Sequence, residues 1–428
     1  MEINKIINSS IKDRIKNGYY DPEYSQNELP AFYGLPNQVV FCNRCVISNQ
    51  RPNSTIEFKH KIETKKDTIK IKADGSCDAC KTSDQKKKID WSKREEELLK
   101  LLDKYRKNNG DYDCIVPGSG GKDSAMQAHI LKYKYGMNPL TITWSPIMYT
   151  DYGYENWKNW IGIGGFDNML FTRNGEVMKK LTKLSIENLF HPFQTFILGQ
   201  KNFAPKIAEK LNIPLVFYGE NEAEYGNPIA DNNISLRNKS IFTHNNIDNI
   251  YISGLSLKEL KEKYNLDYKA LKIYLPLESN KINDSMEVHY MGYYIKWMPQ
   301  SAYYYAVKNC NFQPRPFRTE GTYSKYNSID DKIDDLHYYT TYIKFGIGRA
   351  TYDSSQEIRN NHISREEACL LVGKYDGEYP SKYIKETLEY LDISENYFLQ
   401  LCDKFRSPHI WTKKNDQWKL NHTVNQNG

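Results

Sequence analysis

Residues 112–124 read Tyr-Asp-Cys-Ile-Val-Pro-Gly-Ser-Gly-Gly-Lys-Asp-Ser, an apolar run, a small-residue turn and a helix start. A short apolar run bounded by turn residues predicts a buried strand, and Ser124–Tyr135 has helical spacing up to Gly136. Gly118, Gly120 and Gly121 keep Cβ atoms out of the turn, so backbone N–H groups can approach an anion closely. The helix N-terminus behind them adds partial positive charge, which favours phosphate. Such a loop lies at the carboxyl end of its strand, where open α/β sheets bind ligands. It is not the Gly-x4-Gly-Lys-Ser/Thr phosphate loop. Val116 stands where that motif needs its first glycine, and Asp123 where it needs a hydroxyl.

The surrounding chain alternates in the same manner. Pro139–Trp144, Asn168–Thr172, Pro214–Tyr218 and Glu287–Trp297 read as strands, and Tyr154–Ile163, Glu176–Leu189 and Ala204–Leu211 as helices. Strands alternating with helices predict an α/β fold with a doubly wound parallel sheet. Upstream, Trp91–Lys107 reads as a helix with Leu98, Leu99, Leu101 and Leu102 as its apolar stripe. Beyond Pro314 the pattern is mostly helical, and Ser364 with Glu367 forms a capping box. The expected division is a polar arm over 1–36, a cysteine module over 37–90 and an α/β domain over 91–313 with an insertion at about 231–280. A helical C-terminal region over 314–428 would contribute to the substrate site.

Two cysteine knuckles, Cys42-x2-Cys45 and Cys77-x2-Cys80, predict a tetrahedral zinc site with no open position, hence a structural one. The remaining cysteines (Cys114, Cys310, Cys369, Cys402) are isolated and read as small buried hydrophobes. The first twenty residues are polar and lack the apolar core of an export signal, and no run of about 18 apolar residues exists. A cytoplasmic protein without a membrane span is therefore expected, in a reducing compartment where paired cysteines hold metal. The net charge of +6 suits anionic small molecules and falls short of a nucleic-acid binder.

Ser119-Gly-Gly-Lys-Asp-Ser124 resembles the signature of the PP-loop ATP pyrophosphatases. The resemblance implies cleavage of ATP between its α and β phosphates and transfer of AMP to a carbonyl or carboxyl oxygen. Gly118, Ser119, Gly120, Gly121 and Ser124 would then cradle pyrophosphate, Lys122 would stand near its charge, and Asp123 would help hold Mg²⁺. Gly219-Glu-Asn-Glu-Ala-Glu224, after the fourth strand, matches an acid-rich turn of related enzymes. Asn221, Glu222 and Glu224 are thereby candidates for the metal–nucleotide region. Trp144 either flanks adenine or belongs to the core.

Longer runs resemble the N-acetyl sugar amidotransferases of bacterial surface-glycan biosynthesis, of the WbpG and PseA type. They include the knuckles with Arg51-Pro52 and Gly75, the phosphate loop, 138–144, 219–226, Arg318–Tyr326, Lys344–Arg349 and Glu357-Ile-Arg359. This implies a nucleotide-linked N-acetyl sugar or nonulosonic acid as acceptor, converted to an acetamidino product. Glu320 and Lys325 would be catalytic, with Asp330 and Asp331 crowded nearby, and Arg315, Arg318 and Arg349 would grip a diphosphate or carboxylate. His337 is either a base or structural, and no base is assigned. The chain has no obvious glutaminase motif, and the resemblance implies that ammonia comes from a separate glutaminase with a cyclase-like subunit. Two rivals remain: a PP-loop tRNA-modifying enzyme (thiolation or lysidine type), which the modest charge disfavours, and a nucleotide-binding zinc scaffold without activity.

Overall fold

The computed structural model describes residues 29–226 and 233–424. Most of the expected polar arm lies outside these residues. Five strands form the central sheet: β1 (Cys114–Pro117), β2 (Pro139–Trp144), β3 (Asn168–Phe171), β4 (Leu215–Tyr218) and β5 (Glu287–Tyr290). They are all parallel, in the order β3-β2-β1-β4-β5. Both faces are covered, as a parallel sheet requires, and alternate residues serve opposite cores. Cys114, Val116, Leu215 and Phe217 pack with Leu98, Trp160 and Trp297, whereas Ile115, Ile142 and Val216 pack with Leu181, Leu198 and Phe203.

The helices that place the site are α1 (Asp78–Lys86), α2 (Trp91–Tyr105), α3 (Lys122–His129), α4 (Asp151–Gly162), α5 (Gly175–Leu189) and α6 (Gln194–Leu211). In α2, Leu98 and Leu102 are buried but Leu99 is exposed, so the apolar stripe is narrower than four leucines. Helix α3 ends sooner than its spacing predicts, passing into a π-helical turn at Ile130–Lys134. The fifth strand also stops early, at Tyr290, because Met291–Tyr294 turns helical beneath the β4 loop.

The Asn-rich segment read as an insertion contributes core. From Phe242 to Tyr274 it buries Phe242, Ile252, Leu260, Leu271 and Tyr274 against the α6 side of the sheet. Its hairpin turns at Ser253-Gly254, both at positive φ.

The C-terminal region holds α7 (Asp334–Phe345), α8 (Arg349–Arg359), α9 (Arg365–Tyr375), α10 (Ile384–Leu391) and α11 (Glu395–Phe405). The expected capping box is formed at α9: Glu367 N donates to Ser364 Oγ at 3.2 Å, and Ser364 N to Glu367 Oε2 at 2.8 Å. Ser364→Ala is expected to cost about 1 kcal/mol, read as a lower denaturant midpoint at unchanged slope. The region is not wholly helical. Strands β6 (Trp411–Lys414) and β7 (Gln417–Leu420) form a hairpin whose turn, Asn415-Asp416, has positive φ at both positions, as a type I′ turn needs. One core joins this region to the cysteine segment, with Tyr33, Ile69 and the four knuckle cysteines against Phe345, Phe405 and Trp411.

Candidate functional site

The strand order reverses between β1 and β4, which opens a crevice at their carboxyl ends. The loops after both strands meet there. Gly118 lies so close to Ser124 that an added Cβ would sit 2.2 Å from the Ser124 Cβ. Gly120 adopts φ +86° with the α4 backbone packed beside it, 2.6 Å from where a Cβ would be. Gly121 is the N-cap of α3 and receives no side-chain cap. The first N–H groups of α3 are therefore left for an external acceptor. Ser124 Oγ turns back to donate to the Gly121 carbonyl at 3.0 Å. Lys122, nearly buried, donates to Asp123 Oδ2, while Asp123 Oδ1 is buried with no hydrogen-bond partner.

Two cavities open on this loop, of about 530 Å³ and 270 Å³. Ser119, Gly121, Asp123, Glu220, Asp330 and Asp334 border both. The larger has an apolar wall of Ile142, Trp144, Phe193, Phe196 and Phe203, faced by Lys201 and Arg237. The smaller is polar, with Asn156, Asn327, Arg349 and Gln356. Trp144 lies over Gly199 of α6, where a Cβ would fall 2.0 Å from the indole, and the Arg173 guanidinium lies over the ring at 4.8 Å. Gly199→Ala is expected to displace that ring and to cost about 1–3 kcal/mol of stability by overpacking, measured as a lower denaturant midpoint. An unchanged midpoint would show that the indole is free to move aside.

The 329–334 segment reaches the crevice by pairing with the loop after β2. Thr150 N donates to the Asp330 carbonyl at 3.1 Å, and Lys332 N to the Met148 carbonyl at 2.8 Å. Asp331 spends its carboxylate on structure, accepting from the backbone N–H groups of Ile147, Met148 and Ile333. Gly153 permits the approach, since a Cβ there would lie 2.4 Å from Asp330 Cα. Burial raises the Asp334 carboxyl well above the ordinary range, helped by Asp330 and Asp331. Burial, with Asp123 beside it, pushes Glu220 up to about 8. The crevice thus gathers carboxyls that a cation or a basic ligand group would hold ionised.

Several sequence candidates sit elsewhere. Glu320 accepts from Ser381 Oγ and Lys382 N, Lys325 is exposed, and neither borders the two cavities. Arg318 pairs with Glu378 at 2.5 Å. Glu224 pairs with Lys86 at 2.7 Å, and Asn221 accepts from Ala223 N, so Gly219, Glu220 and Glu222 are the members of that turn that face the crevice. Arg315 is buried with no hydrogen bond to its guanidinium among the described residues. Arg349 does border the smaller cavity, beside Asp353 at 2.9 Å. Arg237 escaped sequence reasoning because it lies in the Asn-rich segment. It reaches the crevice because Arg237 N pairs with the Val288 carbonyl, setting its guanidinium 4.1 Å from the Tyr218 ring.

The four knuckle sulfurs converge, all lying within 4.8 Å of one another. Cys42 and Cys80 Sγ are 3.9 Å apart, Cys45 and Cys77 Sγ 3.7 Å. Tetrahedral zinc with Zn–S near 2.3 Å puts sulfurs about 3.8 Å apart, so the donor set fits that ion. Cys77 N and Cys45 N donate to Cys42 Sγ, stabilising thiolate character. Among the described residues no other group of His, Cys, Asp or Glu converges in this way. Cys114 is fully buried and its thiol is pushed up by burial, consistent with a hydrophobe and unsuited to thiol chemistry. Among the described residues no helix is long and apolar enough to cross a membrane.

Residues 320–425 match the family model described as "LPS biosynthesis protein WbpG-like, C-terminal domain". That stretch supplies Asp330, Asp334, Arg349 and Gln356 to the crevice. An uncharacterized protein of Methanocaldococcus jannaschii is 38% identical over 52 residues, 12% of this chain and 19% of that protein. The chain thus spans about a fifth of the length of the curated relative it matches.

Proposed function

We propose that this chain, whose C-terminal region is of the WbpG-like lipopolysaccharide-biosynthesis type, is an ATP-dependent amidotransferase that makes an acetamidino group from the N-acetyl group of a nucleotide-linked sugar or nonulosonic acid. The observation that carries the reading is the uncapped N-terminus of α3 behind Gly118–Gly121, opening onto an apolar and a polar cavity that share one floor. Adenine suits the wall of Trp144, Phe196 and Phe203, the phosphates suit the floor, and the acceptor suits the smaller cavity. Lys201 and Arg237 supply charge toward the nucleotide, and Arg349 toward the acceptor.

An amide carbon resists ammonia because its nitrogen donates into the carbonyl and oxide does not leave. Attack of the amide oxygen on the α-phosphorus breaks the α–β bond, and the amide proton departs with pyrophosphate. The resulting imidate ester has AMP as leaving group. Ammonia adds, the C–O bond breaks with its electron pair going to AMP, and the extra proton stays on the amidinium. The N–H groups of Gly121–Asp123 face the charge that develops on the phosphates and need no reorganisation to do so. Mg²⁺, which Asp123 with Asp330 or Glu220 would hold, neutralises phosphate charge when bound. Ammonia comes, on this reading, from a separate glutaminase with a cyclase-like subunit.

The test is incubation with Mg-ATP, ammonium chloride and a panel of nucleotide-linked diacetamido sugars. The expected product is about one mass unit lighter, from O replaced by NH, with AMP and pyrophosphate formed in equal amount. Release of ADP, or AMP formation indifferent to the sugar, would overturn the reading.

A further inference from the structure

A third cavity of about 490 Å³ lies outside the crevice, between the 51–67 excursion of the cysteine segment and α7. It shares one wall residue with the larger crevice cavity, His337. His191, on the third-cavity side, stacks on His337 with ring centroids 4.8 Å apart at 18°, and Phe193, on the crevice side, meets the same ring edge-on at 5.2 Å. Nδ1 of both histidines is buried without a hydrogen-bond partner among the described residues. Two orphaned imidazole nitrogens in a common wall are unusual, because a buried polar atom without a partner costs about 1–3 kcal/mol.

We propose that ammonia reaches the adenylated acceptor through this third cavity, crossing into the crevice at the His191–His337 stack. The inference rests on the amidotransferase reading and names the path of its nucleophile. Three features of the cavity fit neutral ammonia. First, cations outnumber carboxylates on its walls by five to two (Arg51, Lys59, Lys65, Lys66 and Lys344 against Glu57 and Asp67), which disfavours ammonium and leaves ammonia unaffected. The less exposed of the two carboxylates, Glu57, is already claimed by Lys344 and Lys66, each at 2.7 Å. Second, burial holds both imidazoles neutral: His191 is pushed down to about 3 and His337 well below its ordinary value, with Lys344 adding to both. Neutral rings offer ammonia both an acceptor and a donor, and hold no extra proton that would convert it to ammonium. Third, no hydrogen bond at either Nδ1 has to break for the rings to tilt and let a molecule of that size pass.

Thr341 borders the third cavity one helical turn after His337, and its hydroxyl donates to the His337 carbonyl at 2.9 Å. Thr341→Trp should fill the passage without touching the crevice. The expected result is a KM for ammonium chloride raised at least about tenfold at fixed pH, with acceptor-dependent ATP–pyrophosphate exchange kept within about twofold of the parent. An unchanged KM in a folded, zinc-replete Thr341→Trp protein would overturn the route. If that variant does not fold, Thr341→Leu decides the matter, with a KM rise of at least about threefold expected and no rise overturning the route. Absence of acceptor-dependent exchange in the parent would instead sink the amidotransferase reading beneath it, so the two failures are told apart.

Discussion

Asp123→Asn is expected to lower acceptor-dependent pyrophosphate release by at least about a hundredfold, the usual cost of losing one preorganised electrostatic group in such a site. The substitution keeps the shape of the side chain and removes its charge. Asp123 stands in the first turn of α3, paired through Oδ2 with Lys122 and leaving Oδ1 buried without a partner. That unfilled acceptor is what a cation bound with phosphate would satisfy. The fold should scarcely respond, because Asp123 is partly exposed and such pairs contribute about 1 kcal/mol or less. The check is a paired measurement of pyrophosphate release and thermal midpoint. Unchanged turnover would mean that the loop does not grip ATP; a collapsed midpoint would mean that Asp123 holds the fold and not the nucleotide.

Cys77→Ser is expected to remove the bound zinc and to destabilise the chain by more than about 4 kcal/mol, since structural zinc supplies folding free energy directly. The loss should not stay local. The knuckle cysteines share a core with Phe345 and Phe405, and Arg365 donates to the carbonyls of Cys45 and Cys42 at 3.3 and 3.5 Å. Through those contacts the cysteine segment braces α7, the helix that carries Asp334. ATP affinity should therefore fall together with zinc content, measured by metal analysis and calorimetry on the same preparation. A zinc-replete Cys77→Ser protein with the parent's midpoint would overturn the four-cysteine centre.

The glycine-bearing turn between β1 and α3 and the parallel sheet were legible because their information is local. Apolar runs of four to six residues, glycines at a turn and period-3.6 stripes each act within one element, and β2 occupies Pro139–Trp144 as its spacing predicts. The cysteine pairing was legible too, since each knuckle presets two ligands. The C-terminal hairpin had a local signal, Asn415-Asp416 between Trp- and Leu-bearing runs, that the helical reading of the region overlooked.

The polar residues of 315–349 could not be sorted by sequence, because all of them have the same composition and crowding. What separates Asp330 and Asp334 from Glu320 and Lys325 is the pairing of 329–332 with the loop after β2, about 180 residues upstream. The same holds for Glu220 against Glu224. Glu220 borders the crevice, whereas Glu224 is paired with Lys86 of α1. The amino-acid sequence by itself determined most of the elements, the glycine turn at the start of α3 and the two cysteine knuckles, all set by backbone geometry within a few residues. Only the tertiary structure decided which charged groups face the crevice, because that depends on long-range backbone pairing and on which carboxylates a distant cation has already claimed.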